Sequence, residues 1–252
     1  MAFFQFHFFS EALGMQSEAY VIIPQRQVSG QIGIESESRG EKYKCLYLLH
    51  GLSDDHTIWM RRTSIERYAS KYGVCVVMPC AHRSFYCNTS YGAKYYDFVA
   101  RELPGLICEF FNVSNKREDN FIAGLSMGGY GALKIALREC DRFCAGVGLS
   151  SVTDLKDSWK TEIMETVFGK CTPVPDEDDL FWLADAKASD QNRPRLFMAV
   201  GTEDGLYPEN VRFRDKLESL GYDLKYAEAP GNHNWEFWDE HIQGALDWMF
   251  NN

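Results

Sequence analysis

Phe121-Ile122-Ala123-Gly124-Leu125-Ser126-Met127-Gly128-Gly129 is the stretch on which the reading of this 252-residue chain turns. Three apolar residues of strand character run into G-x-S-x-G, and a segment of helical spacing, Tyr130–Arg138, follows. Strand, sharp turn and helix in that order form the context that a nucleophile elbow requires. Such a turn leaves no room for a Cβ on its flanks, hence glycine on both sides. Ser126 then sits at the apex in a strained conformation, with Oγ presented above the sheet. The Met127 amide falls at the following helix's N-terminus, where backbone donors are free to hold developing negative charge.

Working outward, short apolar runs alternate with longer amphipathic stretches. The predicted strands are Phe3–Phe9, Ala19–Ile23, Cys45–Leu49, Val74–Met78, Phe121–Gly124, Ala145–Leu149, Leu196–Val200 and Leu224–Ala227. From the third onward most are separated by helical spacing, at Trp59–Lys71, Asp97–Phe111, Gly129–Glu139, Asn210–Leu220 and Glu236–Phe250. Strands rich in Val, Leu, Cys and Phe without polar alternation are buried on both faces. Repeated strand–helix–strand units predict an α/β fold, a mostly parallel eight-stranded sheet with helices on both faces. The first two strands are expected to pair antiparallel at one edge.

Between Leu149 and Leu196 the alternation stops. This region, about 151–194, reads as an insertion of two or three short helices above the sheet, before the penultimate strand, within a single domain spanning 1–252. It holds Trp159, Phe168, Phe181 and Trp182, and the acidic run Asp176-Glu177-Asp178-Asp179. That run reads as a solvated loop or a helix N-terminus, where acidic side chains suit the positive end of the dipole. Trp159, Phe181 and Trp182 are candidate walls of a substrate pocket.

Composition removes whole classes of function. Hydrophobic residues make up 45% and charged residues 25%, the ordinary globular mix, which excludes disorder, collagen and coiled coil. No run approaches the roughly 18 consecutive apolar residues of a membrane span. The net charge of −10 repels both nucleic acid and anionic lipid. Eight cysteines without a C-x-x-C pair point to reduced thiols rather than bridges or zinc. Met1–Phe9 has neither a basic segment nor a cleavage site, so a reducing cytoplasm is expected.

A serine hydroxyl needs a base. The chain order Ser…Asp/Glu…His places the base after the last strand, which selects His233 in Ala229-Pro230-Gly231-Asn232-His233-Asn234-Trp235. His241 lies eight residues further on, inside the terminal helix, and reads as structural or exposed. His7 sits on an N-terminal strand before the elbow; His82, in the loop after Pro79-Cys80-Ala81, is a candidate lining residue whose place in the chain order argues against it as the base. The carboxylate that orients the base is Asp204 in Gly201-Thr202-Glu203-Asp204-Gly205, at the end of the penultimate strand, with Glu203 its nearest competitor. Asp185 and Asp190 belong to the insertion. The second oxyanion amide comes from the loop after the third strand, which selects Leu52 in His50-Gly51-Leu52 beside the Met127 amide. His50 reads as a structural hydrogen-bonding histidine, and Asp54, Asp55 and His56 as side chains that order the loop. Trp235 and Trp238 read as packing residues.

Leu49–Trp59, the elbow Gly124–Gly129, Gly201–Asp204 and Gly231–Trp238 together resemble the putative-esterase (esterase D-like) family of α/β-hydrolases, in particular its tributyrin esterase and acetyl esterase branch. The likeness covers nearly the whole chain. Family members often carry Gly-Gly-His-Asp-Trp where this chain has Gly231-Asn232-His233-Asn234-Trp235, a departure that keeps the histidine. The resemblance implies an α/β-hydrolase fold and a serine carboxylesterase. Its substrates would be short-chain acyl (tributyrin-like, acetyl) or aryl-acyl (feruloyl-type) esters, small molecules or acylated oligosaccharides. No cofactor, metal, nucleic acid or membrane partner is expected, and a homo-oligomer is compatible with it. S-formylglutathione hydrolase, a thioesterase with the same triad, is the alternative, followed by an acyltransferase and by a non-catalytic binding module on this fold.

Overall fold

The computed structural model describes residues 1–25, 41–158, 162–170 and 172–251. Eight strands form one sheet: β1 (Ala2–Ser10), β2 (Met15–Ile23), β3 (Cys45–Leu49), β4 (Cys75–Pro79), β5 (Asn120–Leu125), β6 (Ala145–Leu149), β7 (Arg195–Gly201) and β8 (Leu224–Ala229). Their order is β1-β2-β4-β3-β5-β6-β7-β8. β1 and β2 make the expected antiparallel edge hairpin, β2 pairs antiparallel with β4, and the strands from β3 to β8 run parallel. The alternation foresaw the mostly parallel eight-stranded sheet, and the family resemblance implied its α/β-hydrolase arrangement.

The helices are α1 (Ile58–Arg62), α2 (Ile65–Tyr72), α3 (Tyr95–Asp97), α4 (Leu103–Phe110), α5 (Met127–Arg138), α6 (Leu155–Ser158), α7 (Glu162–Phe168), α8 (Leu180–Ala186), α9 (Tyr207–Ser219) and α10 (Trp235–Phe250). Every residue of β3 is buried, and its alternating side chains feed two cores. Cys45, Tyr47 and Leu49 join the core under α4, α5 and α9, whereas Leu46 and Leu48 join the core under α1, α2 and α10.

Two predicted helices differ in detail. The stretch predicted over Trp59–Lys71 breaks into α1 and α2, because Thr63 is extended and its hydroxyl both donates to the Trp59 carbonyl and accepts from the Ile65 amide. The predicted Asp97–Phe111 helix contains a π-helical turn at Phe98–Glu102 ahead of Pro104. Proline lacks the N–H that an α-helical ladder would need there, so the register loosens locally.

Among the described residues, three short α-helices, α6 to α8, lie between β6 and β7. Asp179 caps α8 by accepting from the Phe181 amide, as suits an acidic residue at a helix start. Asp178 is not solvated. It is buried and pairs at 2.8 Å with the fully buried Lys134 of α5. Arg138 adds a second contact at 3.4 Å, and the Lys134 ammonium lies 4.8 Å from the centre of the Tyr130 ring. This ion pair ties the segment to the elbow helix. The seven described cysteines form no disulfide, and Cys171 lies outside the described residues. Among the described residues no helix is long and apolar enough to cross a membrane.

Candidate active site

The parallel strands end on one edge of the sheet, which is where an open α/β sheet places its ligand crevice. Ser126 links β5 to α5 with φ 54° and ψ −119°. An L-residue with positive φ at a strand-to-helix turn is strained, and such strain persists only where the surroundings enforce it. The enforcement is visible at the flanking glycines. A Cβ on Gly124 would collide with the Gly128 carbonyl, and one on Gly128 would lie 2.5 Å from the Leu49 carbonyl oxygen. Substituting either would push the strand and the helix apart.

His233, in the loop after β8, reaches across to this turn. Its Nε2 lies 3.0 Å from Ser126 Oγ and its Nδ1 2.8 Å from Asp204 Oδ2. A carboxylate only accepts, so Nδ1 carries the proton and Nε2 is left bare to accept from the serine hydroxyl. Asp204 follows β7, is 4% exposed, and also accepts the Leu206 amide at 2.9 Å through Oδ1. Burial alone would raise its pKa. The His233 N–H and the Leu206 amide outweigh that term and hold the carboxyl below the usual range. Glu203, the competitor, is exposed and its carboxylate accepts the Gly231 amide instead. It fastens the histidine loop and leaves the ring to Asp204.

The loop after β3 is held just as firmly. His50 is 1% exposed; its Nδ1 donates to the Gly51 carbonyl at 2.7 Å and its Nε2 accepts from the Ala81 amide at 3.0 Å. Burial pushes the imidazole down to about 4, so the ring is neutral and serves as a strut. Tyr86 Oη donates to the His50 carbonyl at 2.9 Å, and Trp59 Nε1 to the Leu49 carbonyl at 3.0 Å. Leu52 lines the cleft, as does Met127, whose amide has no acceptor within its own helix. Asp55 accepts from the amide and hydroxyl of Thr57, which fits its reading as a loop-ordering residue.

A cleft of about 710 Å³ opens over Ser126 and His233, within the size range of small-molecule sites. Its apolar wall is built from Phe85, Val152, Leu206, Trp235 and Trp238, with Arg62 and Glu236 among its charged residues. The expected pocket residues Phe181 and Trp182 do not line it. Phe181 packs on Phe213 of α9 at a ring distance of 5.2 Å, and Trp182, the next position round α8, is 44% exposed. Trp159 lies outside the described residues. Trp235 and Trp238 instead combine packing with lining: the rings lie edge to face at 5.2 Å, and Trp238 meets the His233 ring at 4.9 Å. The sequence signal for both was available, because they stand three apart in the first turn of a helix that begins two residues after His233. No comparable signal marks Phe85 or Val152. Of the remaining histidines, His241 bonds the Phe237 carbonyl and stacks on that ring, His7 sits on β1, and His82 does not line the cleft.

Comparison with known proteins gives the family and the fold. A family model described as "Putative esterase" matches residues 10–249. The acetyl esterase of Caldicellulosiruptor saccharolyticus is 30% identical over 263 residues, covering 99% of this chain and 98% of its own. Among solved structures, fluorophosphonate-binding serine hydrolase F of Staphylococcus aureus superposes with a TM-score of 0.89 at 36% identity, covering 100% of this chain and 99% of its own. An S-formylglutathione hydrolase from Staphylococcus aureus superposes with a TM-score of 0.86 at 38% identity, with 99% of each chain covered.

Proposed function

The chain belongs to the putative esterase family and is a carboxylic ester hydrolase of the α/β-hydrolase fold; from that premise we propose that Ser126, His233 and Asp204 are its catalytic triad and that it cleaves short-chain acyl or aryl-acyl esters. The observation that carries this reading is the unbroken hydrogen-bond chain from Ser126 through His233 to the buried Asp204, opening into a cleft.

The mechanism follows from that chain. His233 Nε2 takes the Oγ proton as Oγ bonds to the ester carbonyl carbon. The carbonyl oxygen becomes an oxyanion, held by the Leu52 and Met127 amides. Each such donor contributes about 2.7–4 kcal/mol to lowering the barrier. Collapse breaks the bond to the alcohol, which leaves with the proton from Nε2. Water then gives its proton to Nε2, attacks the acyl-enzyme and releases the acid. Asp204 stays ionised throughout and stabilises the imidazolium. No step calls on a metal or a cofactor.

The apolar wall of Phe85, Val152, Leu206, Trp235 and Trp238 supports an acyl or aryl moiety beside Ser126. A second reading has its own support. The 38%-identical relative is a glutathione thioesterase, and Arg62 on the cleft wall supplies a counter-charge for a tripeptide carboxylate. Comparing kcat/KM for p-nitrophenyl acetate, butyrate and octanoate, a feruloyl ester and S-formylglutathione separates the two. Preference for short acyl or feruloyl esters is expected. A dominant thioester rate would favour the second reading, and a clear octanoate preference would contradict the short-acyl assignment.

A further inference from the structure

Away from the cleft, three segments converge on a small group of metal-ligating side chains. Glu18 of β2, His56 of the loop after β3 and Cys80 just beyond β4 place their donor atoms within 4.8 Å of one another. None of the three lines the cleft. His56 is 7% exposed and Cys80 5%. The His56 Nδ1 is buried yet makes no hydrogen bond, although Glu18 Oε1 lies 3.5 Å away. A buried polar nitrogen left without a partner costs free energy. A ligand bound between these groups would satisfy it.

We propose that Glu18, His56 and Cys80 form a three-residue binding site for one zinc-class divalent transition-metal ion, with solvent supplying the fourth position. The donor set combines a thiol, imidazole and a carboxylate, the mixture that borderline-soft Zn2+ takes. Tetrahedral coordination would hold such donors about 3.3–3.6 Å apart. Glu18 Oε1 and His56 Nδ1 already stand at 3.5 Å, and the donor atoms of Glu18, His56 and Cys80 all lie within 4.8 Å of one another. The second oxygen of Glu18 is 3.7 Å from His7 Nδ1, an outer contact of the kind that orients a ligating carboxylate.

The ion would tie β2, the β3 loop and the β4 loop together. The β3 loop carries Leu52, and His50 already bonds it to Ala81, the neighbour of Cys80. Occupancy therefore braces the loop that bears the proposed oxyanion amide, while the chemistry at Ser126 proceeds without it. The site stands or falls independently of the esterase assignment.

The test is titration of the reduced, metal-stripped protein with Co2+, read as thiolate-to-cobalt charge-transfer absorption, followed by displacement with Zn2+. The expected result is one equivalent bound with a charge-transfer band, abolished in Cys80→Ser and retained in Cys140→Ser. Glu18→Gln and His56→Gln should each weaken binding at least about 10-fold, the lower bound for losing even an outer partner. Circular dichroism on each variant checks that it is folded, and Glu18→Gln, at a partly exposed position, gives a second readout should His56→Gln not fold. Absence of the band in the wild type, its survival in Cys80→Ser, or affinity unchanged in Glu18→Gln would overturn the proposal.

Discussion

Lowering the pH should loosen this protein through His50, and the size of the effect can be worked out. Burial holds the folded-state imidazole down to about 4, against 6.5 for an unhindered histidine. Between those values the unfolded chain binds a proton at His50 and the folded chain does not. The folded state therefore loses stability as pH falls below about 6.5, and the loss levels off below about 4. Each pH unit of that gap is worth about 1.36 kcal/mol. The full cost is about 3 kcal/mol, of which about 2 kcal/mol has accrued by pH 5. In the structure, protonating Nε2 would turn the acceptor of the Ala81 amide into a second donor facing it. That is why the strut cannot hold a charge. The assay is urea unfolding of the wild type and His50→Gln at a series of pH values. Glutamine can still accept from Ala81 but does not titrate. The stability difference between the two proteins should shift by about 2 kcal/mol against the wild type between about pH 7.5 and pH 5. Other titrating groups cancel in that difference. Parallel curves would refute the reasoning.

Gly128→Ala would set a Cβ 2.5 Å from the Leu49 carbonyl oxygen, so calorimetry should show a Tm lower by at least about 2 °C, corresponding to overpacking of about 1–3 kcal/mol or more. Asp178→Ala leaves the buried Lys134 ammonium without its closest counter-charge and should cost about 3–5 kcal/mol in urea unfolding. Replacing both partners, Lys134→Met with Asp178→Leu, should recover most of that loss. Asp204→Asn keeps the shape but removes the acceptor that selects the Nδ1–H tautomer of His233, so kcat on p-nitrophenyl butyrate should fall by about 10⁴-fold with KM little changed. Asp204 is held below the ordinary carboxylate range, so its stabilising contribution persists above about pH 4 and is lost only as pH falls through the lowered folded value.

How much of this was legible beforehand depends on where the deciding forces act. The eight strands were readable because each is a short apolar run bounded by polar or glycine-rich turns, a pattern that double-sided burial imposes locally. The positions of Ser126, Asp204 and His233 were readable because each directly follows a strand, and strand ends are where a sheet presents its chemistry. The break at Thr63 was not, since it depends on a hydroxyl choosing backbone partners. Lys134 was hidden more deeply. Its buried charge answers to Asp178, 44 residues away, and only tertiary contact brings them together. Phe181 and Trp182 were misread for a related reason. Aromatic content near a site predicts a wall, but on α8 the Phe181 ring packs against Phe213 while Trp182 faces outward.

The assignment of Ser126 as the nucleophile is most directly tested by covalent capture. The protein is treated with a fluorophosphonate, digested, and the adduct located by mass spectrometry, with p-nitrophenyl butyrate hydrolysis followed in parallel. The account predicts one phosphonyl group per chain, on the peptide containing Ser126, and loss of hydrolysis in step with labelling. An adduct at another residue, or full activity in a folded Ser126→Ala protein, would contradict it.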